Sequence, residues 1–134
     1  MRNRAIQVTY LLLRVVAGLL FFQAGALLLF GWFGGMPGHP GSTAPLMSQV
    51  GIGGVLEVVG GVAIILGFLT RPVAFILSGE MAVAYWQFHA PNGAWPIVNH
   101  GELAVLFCFL FLYIAANGAG DWSLDALIQR KRGH

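Results

Sequence analysis

The sequence predicts an all-α membrane protein, a transmembrane four-helix bundle made by residues 1–134 as one domain and closed by a short C-terminal interfacial helix. Three observations carry this expectation. Hydrophobic residues make up 57% of the 134 residues and charged residues only 9%, with a mean hydropathy of +0.77. A water-soluble domain must cover its core with polar side chains and does not have that balance. Four segments, 8–32, 51–69, 72–88 and 101–116, are apolar all round rather than along one stripe, as helices surrounded by lipid are. Outside these segments Lys and Arg occur only at Arg2, Arg4, Arg71, Arg130, Lys131 and Arg132, and the loops 33–50 and 89–100 have none. Positively charged loops stay on the cytoplasmic side, so both termini are expected there, in a multi-pass protein of the plasma or inner membrane. The formal charge of +2 comes from these anchoring residues and gives no support to nucleic-acid binding.

The first span opens after Arg2 and Arg4, and Ala24-Gly25-Ala26 superficially resembles a signal cleavage site. The apolar run continues past that point and three further spans follow, so a retained helix is expected. Inside it stand Arg14 and Gln23, nine residues apart and therefore on opposite sides of a helix. Arg14 shares its face with Gly18 and, less tightly, Gly25. It lies roughly 9 Å into the span, which suits either snorkelling to the headgroups or a buried ion pair. The tract from Gly34 to Pro45 is rich in Gly and Pro without periodicity and reads as an irregular external loop in which His39 is solvated.

The second span contains one carboxylate, Glu57, also roughly 9 Å deep. Ionisation there without a partner costs several kcal/mol, so the acid is expected to be neutral much of the time and to face the protein interior. Gly53, Gly60 and Gly67 recur every seventh residue on its face, and a glycine seam lets a neighbouring helix approach closely. Thr70-Arg71-Pro72 reads as a tight cytoplasmic turn, with Thr70 as the cap of the third helix and Pro72 in its first turn. Along that helix Glu80 and Gln87 share a face, and His89 lies on the other side. Glu80 is about 12 Å deep, comparable with Arg14, and depth pairs the two as a buried ion pair; a protonated Glu80 bonded to a carbonyl or to Gln87 is the alternative.

Asn99 with Glu102 three residues later has the pattern of a capping box at the start of the fourth span. Cys108 is the single cysteine, so no disulfide or Cys-x-x-Cys relay can be built within the chain. Trp32, Trp86 and Trp95 fall at one interface and Tyr10, Tyr113 and Trp122 at the other, as an aromatic belt requires. In the tail Leu124, Leu127 and Ile128 make one apolar face, followed by Arg130, Lys131 and Arg132, the pattern of a short interfacial helix.

Taken in order, several of these pieces resemble the DoxX family of small four-span membrane proteins. The resemblance is carried by Arg14 with Gly18 and Gly25, by Glu57 with Gly60-Gly61 and Gly67, by Thr70-Arg71, His89 and Gly101-Glu102, and by Gly118-x-Gly120-x-x-Ser123-Leu124-Asp125. It covers most of the chain. The family includes a membrane subunit of a thiosulfate:quinone oxidoreductase, and the resemblance implies a membrane subunit or anchor of a redox assembly, facing a quinone, with its chemistry in a partner enzyme.

Glu57, His89, His100 and Glu102, with Gln23 and Gln87 at similar depth, are the candidate ligand or proton-relay residues. Two histidines and two carboxylates can bind a divalent metal, relay protons, or hold a quinone by hydrogen bonds to its carbonyl oxygens. The spacing of the histidines matches no metal-ligand motif, so no metal site is expected. The chain carries no motif for flavin, haem, iron–sulfur or nucleotide binding, so no catalytic residue and no self-contained enzymatic activity is assigned from sequence. The partners expected are lipid and either a redox enzyme or a second copy of the chain. Two other classes stay open: a non-catalytic assembly or chaperone protein packed by Arg14, Glu57 and Glu80, and a small proton-linked transporter. No inverted repeat or broken mid-membrane helix favours the transporter.

Overall fold

The computed structural model describes residues 3–31, 35–36, 39–40, 49–99 and 101–132. The protein is all-α, with helices α1 (Arg4–Phe30), α2 (Gln49–Leu66), α3 (Thr70–Ala84), α4 (Pro96–Asn99), α5 (Glu102–Asn117) and α6 (Leu124–Arg132). The described part of the Gly- and Pro-rich tract holds one ordered feature, a two-residue antiparallel ladder pairing Gly35 with Pro40 and Met36 with His39. Two compact units divide the chain, Met1–Thr70 with Ala119–His134, and Arg71–Gly118.

In the first unit α1 and α2 run antiparallel in close contact. A Cβ placed on Gly18 would lie 2.7 Å from the Gly61 carbonyl oxygen, and one on Gly25 would lie 2.7 Å from that of Gly54. Only glycine permits that approach of two backbones, so the seam is built from two pairs of small residues, each pair seven apart. The seam expected at Gly53, Gly60 and Gly67 is thus shifted by one residue on its α1-facing side, to Gly54 and Gly61. Glu57 stays on the buried side because it is three residues from one and four from the other. Phe21, Ala17, Ala26 and Ile64 complete this core.

The expected second span to residue 69 ends three residues early, in a Schellman turn. Phe68 N–H donates to Ala63 O at 2.9 Å and Gly67 N–H to Ile64 O at 3.2 Å, with Gly67 in the left-handed region at φ 71°. Glycine at this position ends a helix at no steric cost.

In the second unit α3 buries Ala74, Leu77, Ser78 and Met81, and α5 buries Ala104, Phe111 and Ile114. The Ser78 hydroxyl donates to the Cys108 carbonyl at 2.7 Å, tying the two helices. The C-terminal end of the third segment, expected as a continuous α-helix to residue 88, is instead a π-helix over Tyr85–His89, closed by Ala90 N–H to Tyr85 O. A short 3-10 turn, Ala90–Asn92, follows. Pro91 has no N–H to continue the ladder, and the widened turn is how the helix finishes. Here Tyr85 stacks on His89 with ring centroids 6.4 Å apart. The start of α5 also departs from expectation. Its N-cap is Gly101, without a side-chain bond, so Glu102 is the first helical residue rather than the third. The capping box is replaced by an acid beside the positive helix end.

Among the described residues α1 is the helix long and apolar enough to cross a bilayer by itself; Gly51–Leu66 and Glu102–Asn117 are apolar over shorter lengths. Large apolar side chains lie exposed along the helices, among them Leu12, Val16 and Leu19 on α1, Val59 and Val62 on α2, Phe75 and Ile76 on α3, and Leu103, Leu106 and Phe109 on α5. Exposed apolar surface so widely spread suits a hydrocarbon solvent.

Candidate functional site

Among the described residues of the first unit, Arg14 and Glu57 are buried in opposite circumstances. Arg14, 2% exposed, is saturated by backbone. Its Nε donates to Ile64 O at 2.9 Å, Nη1 to Ala119 O at 2.6 Å, and Nη2 to Ile65 O at 3.2 Å and Trp122 O at 3.1 Å. Ile64 and Ile65 are in the last turn of α2, where carbonyls have no partner within the helix and the dipole is negative. One guanidinium therefore caps α2 and at the same time fastens the chain that returns from Ala119 to Trp122. A planar fork with five donors suits that task where an ammonium would not. Four carbonyl acceptors account for the buried charge within this unit. Glu80, its expected partner, is half-buried on α3 in the other unit.

The returning segment is locked from both sides. Asp121 N–H donates to Gln7 Oε1 at 3.1 Å, and Gly120, in the left-handed region at φ 86°, lies so close to Tyr10 that an added Cβ would sit 3.1 Å from its ring. Ser123 caps α6 by accepting from Ala126 N–H at 3.1 Å, as its residue type prefers. The Asp125 carboxylate then accepts from Leu69 N–H at 2.7 Å and Thr70 N–H at 2.8 Å, while Asp125 N–H donates to Gly67 O at 2.8 Å. The cap of α3 is thus Asp125, distant in sequence, and not Thr70. Thr70 is itself the first helical residue, and its hydroxyl oxygen is buried without a hydrogen-bond partner among the described residues.

Arg71 repeats the device in the second unit. Its guanidinium donates to Ala116 O at 2.7 Å and reaches Ala115 O and Asn117 O at 3.4 and 3.5 Å, capping the end of α5. Gly118, at φ 89°, gives it room, since a Cβ there would meet the guanidinium nitrogens.

Glu57 is 8% exposed and lies between Gly54 and Gly61, the glycines of α2 that meet α1. None of the described residues hydrogen-bonds to its carboxyl group. Gln23, on α1, is exposed. Gln87 and Glu102 are exposed and His89 half-buried, all three in the second unit. His100 lies outside the described residues. Among the described residues no three His, Cys, Asp or Glu side chains gather into a metal-binding group.

The residues missed by sequence reasoning are Gln7, Ser123 and Asp125, which build the lock. The signal for Ser123 and Asp125 was present in Gly118-x-Gly120-x-x-Ser123-Leu124-Asp125, whereas Gln7 had none.

An uncharacterized protein of Haemophilus influenzae is 42% identical over 116 residues, covering 84% of this chain and 85% of its own. An inner membrane protein of Escherichia coli, YqjF, is 31% identical over 130 residues, covering 90% of this chain and 92% of its own. No solved structure matches the chain. The sequence profile of the DoxX family matches residues 9–90, from the Arg14 helix through Glu57 to His89, and this chain is a membrane protein belonging to the DoxX family.

Proposed function

We propose that the protein is a quinone-facing membrane subunit or anchor of a redox assembly, with electrons supplied by a partner protein and Glu57 serving the quinone as a hydrogen-bond or proton donor. Both termini lie on the cytoplasmic side and the chain crosses the membrane four times. The observation that carries the reading is the contrast between the two buried ionisable groups. Arg14 has its donors committed to backbone carbonyls, whereas Glu57 is buried beside a glycine seam and has no hydrogen-bond partner among the described residues. A buried acid with no hydrogen-bond partner among the described residues is costly to keep, and an ionisable residue inside the membrane is taken as functional by default. Reducing a quinone to a quinol takes up protons as well as electrons, and a carboxyl group in a low-dielectric site can deliver them to the quinone oxygen.

Purification from the native membrane tests the assembly, since quinone and a partner enzyme should leave the membrane with the protein. Glu57→Gln keeps size and hydrogen bonding but removes titration. Under this reading Glu57→Gln and Glu57→Ala both abolish the partner's quinone-linked turnover while the protein remains folded. Full turnover in the Gln variant would sink the relay. A second reading, a non-catalytic assembly protein, is favoured by the Arg14 lock, because that whole network serves packing. It is distinguished by tolerance of Gln, but not Ala, at residue 57.

A further inference from the structure

We infer that α6, together with the N-terminal end of α1, forms a binding surface for the anionic phospholipid headgroups of the adjoining leaflet. The inference rests on membrane residence, which the family shows, and is independent of the redox reading. Four observations build it.

First, α6 is anchored at its first turn. It is capped by Ser123, gripped through Asp125 by the turn at 67–70, and preceded by carbonyls bonded to Arg14. The end of α2 in a membrane-embedded hairpin therefore dictates where the helix begins. Second, its side chains are sorted as an interface requires. Leu124 and Leu127 are exposed and Ile128 is half-buried at i, i+3 and i+4, while Arg130, Lys131 and Arg132 are all exposed in the last turn.

Third, the acid of this helix is withdrawn from the surface. Both oxygens of Asp125 are spent on Leu69 and Thr70 N–H, so α6 presents cations with no acidic neighbour of its own; the exposed acid of the preceding segment is Asp121. Fourth, Arg4 is exposed in the first turn of α1, at the same end of the unit, because Gln7 one turn further on binds the returning segment at Asp121. A cation in a first turn opposes the helix dipole, so helix stability does not account for it, whereas an anionic surface does.

Apolar side chains reaching the acyl boundary beneath a ring of cations complement an anionic leaflet and not a neutral one. Each basic residue near such a surface strengthens binding roughly fivefold, so Arg130, Lys131 and Arg132 together are expected to shift the inserted-to-free ratio of α6 on the order of a hundredfold.

The test uses the full chain carrying Leu127→Cys in a Cys108→Ala background, spin-labelled at residue 127 and reconstituted into nanodiscs. The discs contain phosphatidylcholine alone or phosphatidylcholine with a minority of phosphatidylglycerol. The label should be shielded from a water-soluble nickel complex and reached by oxygen in the anionic discs, and be released by high salt. The added change of Arg130, Lys131 and Arg132 to Gln should abolish the difference between the two lipids. A label equally shielded in both lipids, which denotes apolar insertion or a protein contact, overturns the inference. So does a label open to nickel in both, or a triple Gln variant that still distinguishes them.

Discussion

At the scale of single residues, the arginine at position 14 shows how a buried charge can be held by backbone carbonyls. Backbone carbonyls at a helix C-terminus are orphaned wherever the helix ends, and in a bilayer water does not satisfy them. Arg14 takes two from α2 and two from the returning chain. Replacing Arg14 by Leu removes a donor from all four, and although Ile64 O keeps Gly67 N–H, each one left buried and unpaired costs about 1–3 kcal/mol. The expected outcome is loss of monodisperse protein in detergent gel filtration. Arg14→Lys keeps the charge but lacks the fork, and should lower the unfolding transition by about 1–3 kcal/mol. Asp125→Asn is a sharper probe, because an amide has one acceptor oxygen for the two N–H groups that the carboxylate satisfies. It should cost about 1–3 kcal/mol in denaturation experiments, and Asp125→Ala more. If Asn were as stable as the wild type, Asp125 would not be the cap of the turn at residues 69–70.

Among elements, the pairing of α1 and α2 depends on close backbone approach at its glycines. Gly18→Ala and Gly25→Ala each place a methyl group 2.7 Å from a carbonyl oxygen of the facing helix, a separation that backbone must widen to relieve. Both should destabilise the fold by about 1–3 kcal/mol. Gly79→Ala is the matched control. An added Cβ there meets nothing within 4 Å, and alanine is the better helix former, so it should stabilise α3 by about 0.5–1 kcal/mol. Thermal unfolding of the three variants in one detergent measures the contrast, and equal effects at residues 18 and 79 would remove the seam from the account.

For the whole molecule the returning segment matters most. Ala119 to Asp125 follows the last long helix, yet it supplies two acceptors for Arg14 and the clamp on Leu69 and Thr70. Truncation after Gly118 should therefore yield protein that is degraded or aggregated rather than a shortened functional chain, as judged by membrane yield and protease resistance. Cytoplasmic and external reporters fused after His134 and within residues 34–45 test the topology. Activity of the external reporter at the C-terminus would reject the four-span arrangement with both ends inside.

The membrane class, the helical content and the order of the elements were legible in sequence, because they follow from composition, local apolar runs and the spacing of glycines. Burial of Glu57 was legible for the same reason: an acid inside an apolar run with small residues on its face has few other places to go, whereas for Arg14 the sequence left snorkelling and burial both open. The carbonyls that hold Arg14 were not legible. Depth along a helix reports height in the membrane and carries no information about which backbone ends arrive at that height, so the carbonyls of Ile64, Ile65, Ala119 and Trp122 were invisible until the chain was folded. Asp125 escaped for the same reason, since a cap brought by a segment 55 residues away leaves no local pattern at the helix it serves. The displaced seam, at Gly54 and Gly61 where Gly53 and Gly60 had the same period, was likewise decided by tertiary contact. Two adjacent glycines repeat identically in sequence, and only the neighbouring helix selects which pair it touches.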